Sequence, residues 1–103
     1  MALSYGIKPL PINKALELYD ILGKYIPEPE DGEQTIDFIG KIIDNIAKDE
    51  SGAYADAIML MTGHTLKELE EFSSEYLLEL FAVGLSVNDI SGLKKFCKDI
   101  NYG

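Results

Sequence analysis

The chain has 103 residues, 47% of them hydrophobic, and sets 18 acidic residues against nine lysines with no arginine, for a net charge of −9. About 100 residues can bury one core but not two, and this apolar fraction is too high for a chain disordered throughout, so one globular domain is expected. Acid in twofold excess argues against a nucleic-acid partner, which needs clustered positive charge to displace counterions, and it opposes an anionic membrane surface as well.

The longest uninterrupted apolar runs, such as Ile58 to Met61 and Leu80 to Val83, fall far short of the ~20 residues that a membrane span requires. Residues 1–12, MALSYGIKPLPI, lack the basic start and long apolar run of a secretory signal. A cytoplasmic location is the expectation. Cys97 is the single cysteine and has no intramolecular partner, which suits a reducing compartment.

Gly6, Pro9 and Pro11 make residues 1–12 an irregular lead-in, because proline restricts both its own backbone and that of the residue before it. A helix is expected from Asn13, a good N-cap, to Ile26, with Ala15, Leu18, Tyr19, Leu22, Tyr25 and Ile26 on one face and Glu17, Asp20 and Lys24 on the other. Two prolines, a glycine and four acids in Pro27 to Glu33 then mark a loop. From Gln34 to Lys48, isoleucines 36, 39, 43 and 46 step by three and four, and Phe38 and Ile42 widen the stripe. Polar residues Asp37, Lys41, Asp44 and Lys48 gather opposite, so helix is favoured over strand despite the β-branched content.

Ser51 and Gly52 break the chain, and Tyr54, Ala55, Ile58 and Met61 mark a shorter, mostly apolar and therefore buried helix that ends at Gly63. Thr65 and Glu68 form a capping-box pattern at the head of a short helix running to about Phe72. Ser73 or Ser74 caps the next segment, EYLLELFAVGL, whose only polar strip is Glu75 and Glu79. After Gly84 the chain restarts near Ser86 to Asn88, and Ile90, Leu93, Phe96, Cys97 and Ile100 form the last amphipathic face. Lys94, Lys95 and Lys98 suit its C-terminal dipole. The fold class expected is all-α: residues 13–103 form a single small domain of five or six short helices.

Candidate chemistry dissolves on inspection. A calcium loop framed on Asp31 would need Pro29 as its first ligand, Gln34 as its turn glycine and Gly40 as its bidentate glutamate. His64 and Cys97 are too few for a structural zinc site, and a cysteine on an apolar helix face is ordinarily core. A Cys97–His64 nucleophilic pair would require a concave pocket beside both. Glu68, Glu70, Glu71, Glu75 and Glu79 read as a solvated face, since shifted carboxylates need a cleft. No phosphate loop, nucleophile elbow or dinucleotide fingerprint occurs, and no serine sits in an Asp-Ser-Leu-like attachment sequence. No catalytic residue, cofactor or metal is expected.

Surface remains. Residues 65–93 set Lys67 against five glutamates and Asp89, a local charge of −5, while carrying Leu77, Leu78, Leu80, Phe81, Val83 and Leu85. Acidity beside apolar excess suits a protein that holds another apolar chain in solution, whereas periodicity alone favours an ordinary core for the same residues.

The run Thr62-Gly63, Leu66 and Leu69 among Glu68, Glu70 and Glu71, then Tyr76-Leu77-Leu78-Glu79-Leu80-Phe81, Val87-Asn88-Asp89 and Lys94-Lys95-Phe96, resembles the tail assembly chaperones of long-tailed bacteriophages, mainly over residues 62–100. The segment Pro9 to Leu22 is compatible with it. The resemblance implies a small acidic helical chaperone of phage or prophage origin that binds the tape measure protein until tail tube subunits displace it. It also implies absence from the finished particle, and a ring or dimer is reasonable for such a coat. A partner helix is expected beside Leu77, Leu80, Phe81, Leu85 and Phe96. The rival expectation is a small acidic inhibitor or immunity-type protein that presents carboxylates to a basic enzyme.

Overall fold

The computed structural model describes residues 6–48 and 52–102. Six helices follow one another: α1 (Ile12–Leu22), α2 (Thr35–Ile46), α3 (Ala53–Thr62), α4 (Leu66–Glu71), α5 (Ser74–Val87) and α6 (Ile90–Asp99), with a 3-10 turn at Gly23–Tyr25. No strand occurs among the described residues, and the fold is all-α. The radius of gyration, 13.0 Å, matches the ~13 Å expected of a globule of 100 residues.

Helix α3 is the centre. It packs against α1 on one side and α5 on the other, with α2 lying on α5 and α6 closing against α1. Its position follows from its composition: Ala57, Ile58 and Met61 are buried, and the half-buried Tyr54, Ala55, Met59 and Leu60 pack against the core. Gly52 opens α3 and Gly63 closes it, both in the left-handed region at φ 88° and 82°, where a side chain would be strained. Ser51, expected to share the first break, lies outside the described residues.

Several boundaries differ from the sequence reading, and α2 ends at Ile46 rather than Lys48. Helix α1 starts at Ile12 rather than Asn13, with Pro11 as the capping residue; its carbonyl accepts from the N–H groups of Lys14 and Ala15, and Asn13 makes no side-chain cap. It also ends at Leu22 instead of Ile26. The 3-10 turn that follows turns Tyr25 and Ile26 into the core, and the Tyr25 carbonyl accepts from Asn45 Nδ2 at 2.9 Å. Helix α5 runs on through Gly84 to Val87, so the restart expected near Ser86 to Asn88 falls at Asn88 and Asp89, and the cap of α6 is Asp89, whose Oδ1 accepts from the Gly92 N–H. Gly84 is not a stop signal because it is a packing surface: a Cβ there would lie 2.7 Å from the Met61 sulfur and terminal methyl.

The lead-in is irregular but docked. Ile7 is buried, Leu10 packs on the core, and the Leu10 N–H donates to Asn88 Oδ1 at 2.8 Å. At the other end, Tyr102 donates to the carboxylate of Asp20 at 3.0 Å and sets its ring edge-on to Tyr19.

Candidate partner-binding surface

The five residues expected to meet a partner are not brought together on the surface. Leu80, Phe81 and Leu85 have no more than 1% of their area exposed and form the heart of the core, where Phe81 stacks 4.9 Å from Tyr54. Leu77 is half-buried against that core. Phe96 stands exposed on α6, away from the other four in chain and outside every surface depression described below. The physical reason is periodicity. Leu77, Leu80, Phe81, Gly84 and Leu85 share the stripe of α5 that packs on α3, which leaves another stripe of the helix to the surface.

That other stripe is Ser74, Leu78, Ala82 and Ser86, four residues at successive four-residue steps. It faces α2 across a seam. At one end Ser74 and Leu78 meet Ile43, Ile46 and Ala47 around a groove of about 380 Å³, with Tyr54 beneath. At the other end Ala82, Val83 and Ser86 meet Thr35, Ile36 and Ile39 around a second groove of about 300 Å³. The pairing of early α2 with late α5, and late α2 with early α5, makes the helices antiparallel. Both grooves therefore lie along one line, and α2 at 1.5 Å per residue gives that line a length of about 18 Å.

Ile36, on which the sequence reading placed one end of the α2 stripe, is 71% exposed, and Leu78 is 42% exposed. They stand at opposite ends of the seam. The core side of α2 is carried by Phe38, Ile39, Ile42 and Ile46 instead. Between Ile36 and Ile43 on the same stripe sits Gly40, where a Cβ would meet nothing within 4 Å. An unforced glycine inside a helix costs about 1 kcal/mol relative to alanine.

The rims are acidic. By helical spacing Asp37 and Asp44 lie on the outer side of the α2 stripe, and Glu75 and Glu79 on the outer side of the α5 stripe. Among the described residues Asp37, Asp44 and Glu75 have no ion-pair partner. Lys41 turns the other way, to Glu30 at 3.3 Å and to Glu33, and its ammonium holds the Glu33 carboxyl below the usual carboxylate range.

Elsewhere a depression of about 420 Å³, lined by Asp20, Ile21, Lys24, Tyr25, Ala53 and Asp56, is more polar than the two seam grooves. The acidic loop and the start of α6 enclose about 180 Å³ lined by Glu30, Asp31, Glu33 and Lys95, and no group of three or more metal-ligating side chains gathers among the described residues. Cys97 is fully buried, and burial pushes its thiol up, with the Asp20 charge adding to the effect and Lys94 opposing it. His64 is half-buried, its Nδ1 3.6 Å from Glu68 and its ring edge-on to Phe72 at 5.1 Å. Neither lines a depression described here. No single helix among the described residues is long and apolar enough to cross a membrane.

Sequence reasoning missed α2 as a surface element, although a signal was present. Ile36, Phe38, Ile39, Ile42, Ile43 and Ile46 span an arc wider than one neighbouring helix can cover, so one edge had to face outward. The fold and surface thus define an all-α single domain with an apolar, acid-rimmed seam between two antiparallel helices. Comparison with family models, curated proteins and solved structures returns no match to this chain.

Proposed function

We propose that this chain is a non-enzymatic binding protein that shields an apolar helical segment of another protein, acting as a phage or prophage tail assembly chaperone. Its partner in this reading is the tape measure protein, held until tail tube subunits replace it, in the bacterial cytoplasm and outside the finished particle. One observation carries the reading: apolar side chains that a monomer gains nothing by exposing, Ile36 and Leu78, sit along a single seam of the size of a helix.

Co-expression with a tape measure protein tests it. The wild type keeps the long protein soluble and co-purifies with it, whereas Ile36→Asp and Leu78→Asp, both folded because both sites are exposed, release it to the insoluble fraction. A folded wild type that leaves the partner insoluble overturns the reading.

The unpaired Asp37, Asp44 and Glu75 favour a second reading, an acidic inhibitor of a basic enzyme. The two separate cleanly. Contact made by carboxylates alone dissolves in salt and survives Leu78→Asp; contact made by the seam fails with that substitution and retains its apolar part in salt.

A further inference from the structure

We infer that the occupant of the α2–α5 seam is a helix of about three turns whose apolar stripe is flanked by lysine or arginine, laid lengthwise in the seam with its backbone close to Gly40. The inference rests on the binding reading above and adds the site, the charge and the length of the bound segment.

Length comes from the seam itself, since about 18 Å accommodates about 12 helical residues. Helical form comes from the floor. Small Ala47, Ser74, Ala82 and Ser86 alternate with larger Ile43, Ile46, Ile39 and Val83 along the two aligned grooves, and such a furrow between two helices receives a third at the usual interaxial distance of about 8–10 Å. Gly40, next to Ile36 and Ile43 on the same side of α2, leaves open space where a side chain would stand among the described residues. Charge comes from the rims. Asp37 and Asp44 on one side and Glu75 on the other lie toward the flanks of whatever is laid between them, and of the lysines on α2 and just beyond it, Lys41 is engaged with the loop acids while Lys48 follows the end of the helix. Cations at the flanking positions of the occupant would pair with these carboxylates at the rim, and a long lysine or arginine stem would cover apolar edge while its head stays in water. A second copy of this chain is the wrong occupant, because it would set the same rim carboxylates, Asp37, Asp44 and Glu75, against themselves in a protein already at −9.

Two synthetic helical peptides provide the test. They share leucines at successive three- and four-residue steps and differ only in having lysine or glutamate at every flanking position. Titration calorimetry against the full chain should show the lysine peptide binding at least about tenfold tighter at low salt, with the preference shrinking once the Debye length falls to about 3 Å near 1 M. The variant Asp37→Asn/Asp44→Asn/Glu75→Gln should bring the two peptides within about threefold of each other, since only rim charge has been removed. Gly40→Trp should abolish binding of both while leaving the thermal midpoint unchanged or raised, because nothing lies within 4 Å of a Cβ there and tryptophan is a better helix former than glycine.

Equal affinity for both peptides, no binding of either, or lysine-peptide binding that survives both Gly40→Trp and Leu78→Asp each overturns the inference. If the wild type nonetheless keeps a tape measure protein soluble, the chaperone reading stands and only this site and its charge rule fall. If it does neither, both fall.

Discussion

Gly84 shows how one residue type can carry opposite meanings. Within a helix glycine ordinarily signals weakness, yet here its missing Cβ lets α5 approach α3 until the Met61 sulfur occupies the space a methyl would need. Gly84→Ala gains about 1 kcal/mol of helix propensity and meets an overpacking cost that typically runs to about 1–3 kcal/mol, so the single variant is expected to be neutral to destabilising. The diagnostic is coupling. In a Met61→Ala background the same change fills the vacated space and should stabilise, and denaturant melts of the four proteins should give an interaction energy of about 1 kcal/mol or more. Simple additivity would mean that the contact does not constrain the helices.

Side-chain chemistry that is local was legible in the sequence. Thr65 and Glu68 form the reciprocal cap that their spacing foretells: Thr65 Oγ1 accepts from the Glu68 N–H at 3.2 Å, and Glu68 Oε1 accepts from the Thr65 N–H at 2.8 Å. Thr65→Ala should cost about 1 kcal/mol in a denaturant melt. Cys97 is also core, as its place on an apolar face required. What stayed illegible was anything set by a distant neighbour. Nothing near Asn13 reveals that the Pro11 carbonyl starts the helix, and nothing near Gly84 reveals Met61. For α5, composition showed more apolar surface than one face holds but not which stripe α3 would claim, and so the expected partner residues Leu80, Phe81 and Leu85 are in fact structural. Phe81→Asp would therefore report on folding rather than on binding, since it buries a charge in a fully enclosed site.

At the scale of elements, the helices are short and depend on ties between their ends. Asn88 is the clearest of these ties. Its Nδ2 donates to the Gly84 carbonyl at 2.9 Å, closing the end of α5, while its Oδ1 accepts from Leu10 and so fastens the irregular lead-in to a helix 78 residues away. The lead-in contributes buried Ile7 to the core and, among its described residues, shows no backbone ladder of its own. Asn88→Ala should cost about 1–3 kcal/mol, the range for leaving a partly buried partner unsatisfied, and should raise amide exchange at Leu10 well before α3 is affected. Uniform acceleration across α3 and Leu10 together would show that the lead-in and core open as one unit. Asp89 follows at once as the cap of α6, in the left-handed region at φ 46°, and the 49° bend between α5 and α6 is made at these two residues.

For the whole molecule, charge sets two opposing dependences on pH. At neutral pH the net charge of −9 destabilises the compact state through self-repulsion, and this relaxes as carboxylates protonate toward the isoelectric point near 4.4. Acting the other way, Glu33 is held below its usual value by Lys41 against a smaller desolvation, and Glu68 is held below its own chiefly by the backbone N–H of Thr65. A carboxylate whose pKa is lower folded than unfolded stabilises the fold above the unfolded value of about 4.5 and loses that contribution as pH falls through the folded value. Relief of repulsion therefore acts first on acidification, and loss of the paired carboxylates acts later. The thermal midpoint should rise from pH 7.5 to a maximum at about pH 5 and fall below about pH 4.5, where the unfolded chain takes up protons that Glu33 and Glu68 in the folded chain still exclude. Raising salt at pH 7.5 should reproduce the rise without the fall, because screening removes the repulsion and leaves Glu33 and Glu68 ionised. Lys41→Met separates the two effects: the largest cause of the Glu33 shift disappears, so the decline below pH 4.5 should become shallower while the salt response at pH 7.5 persists. A midpoint that climbs steadily through pH 4 would show that repulsion alone governs the acid response, and the paired carboxylates would then have no measurable share in holding the loop to α2.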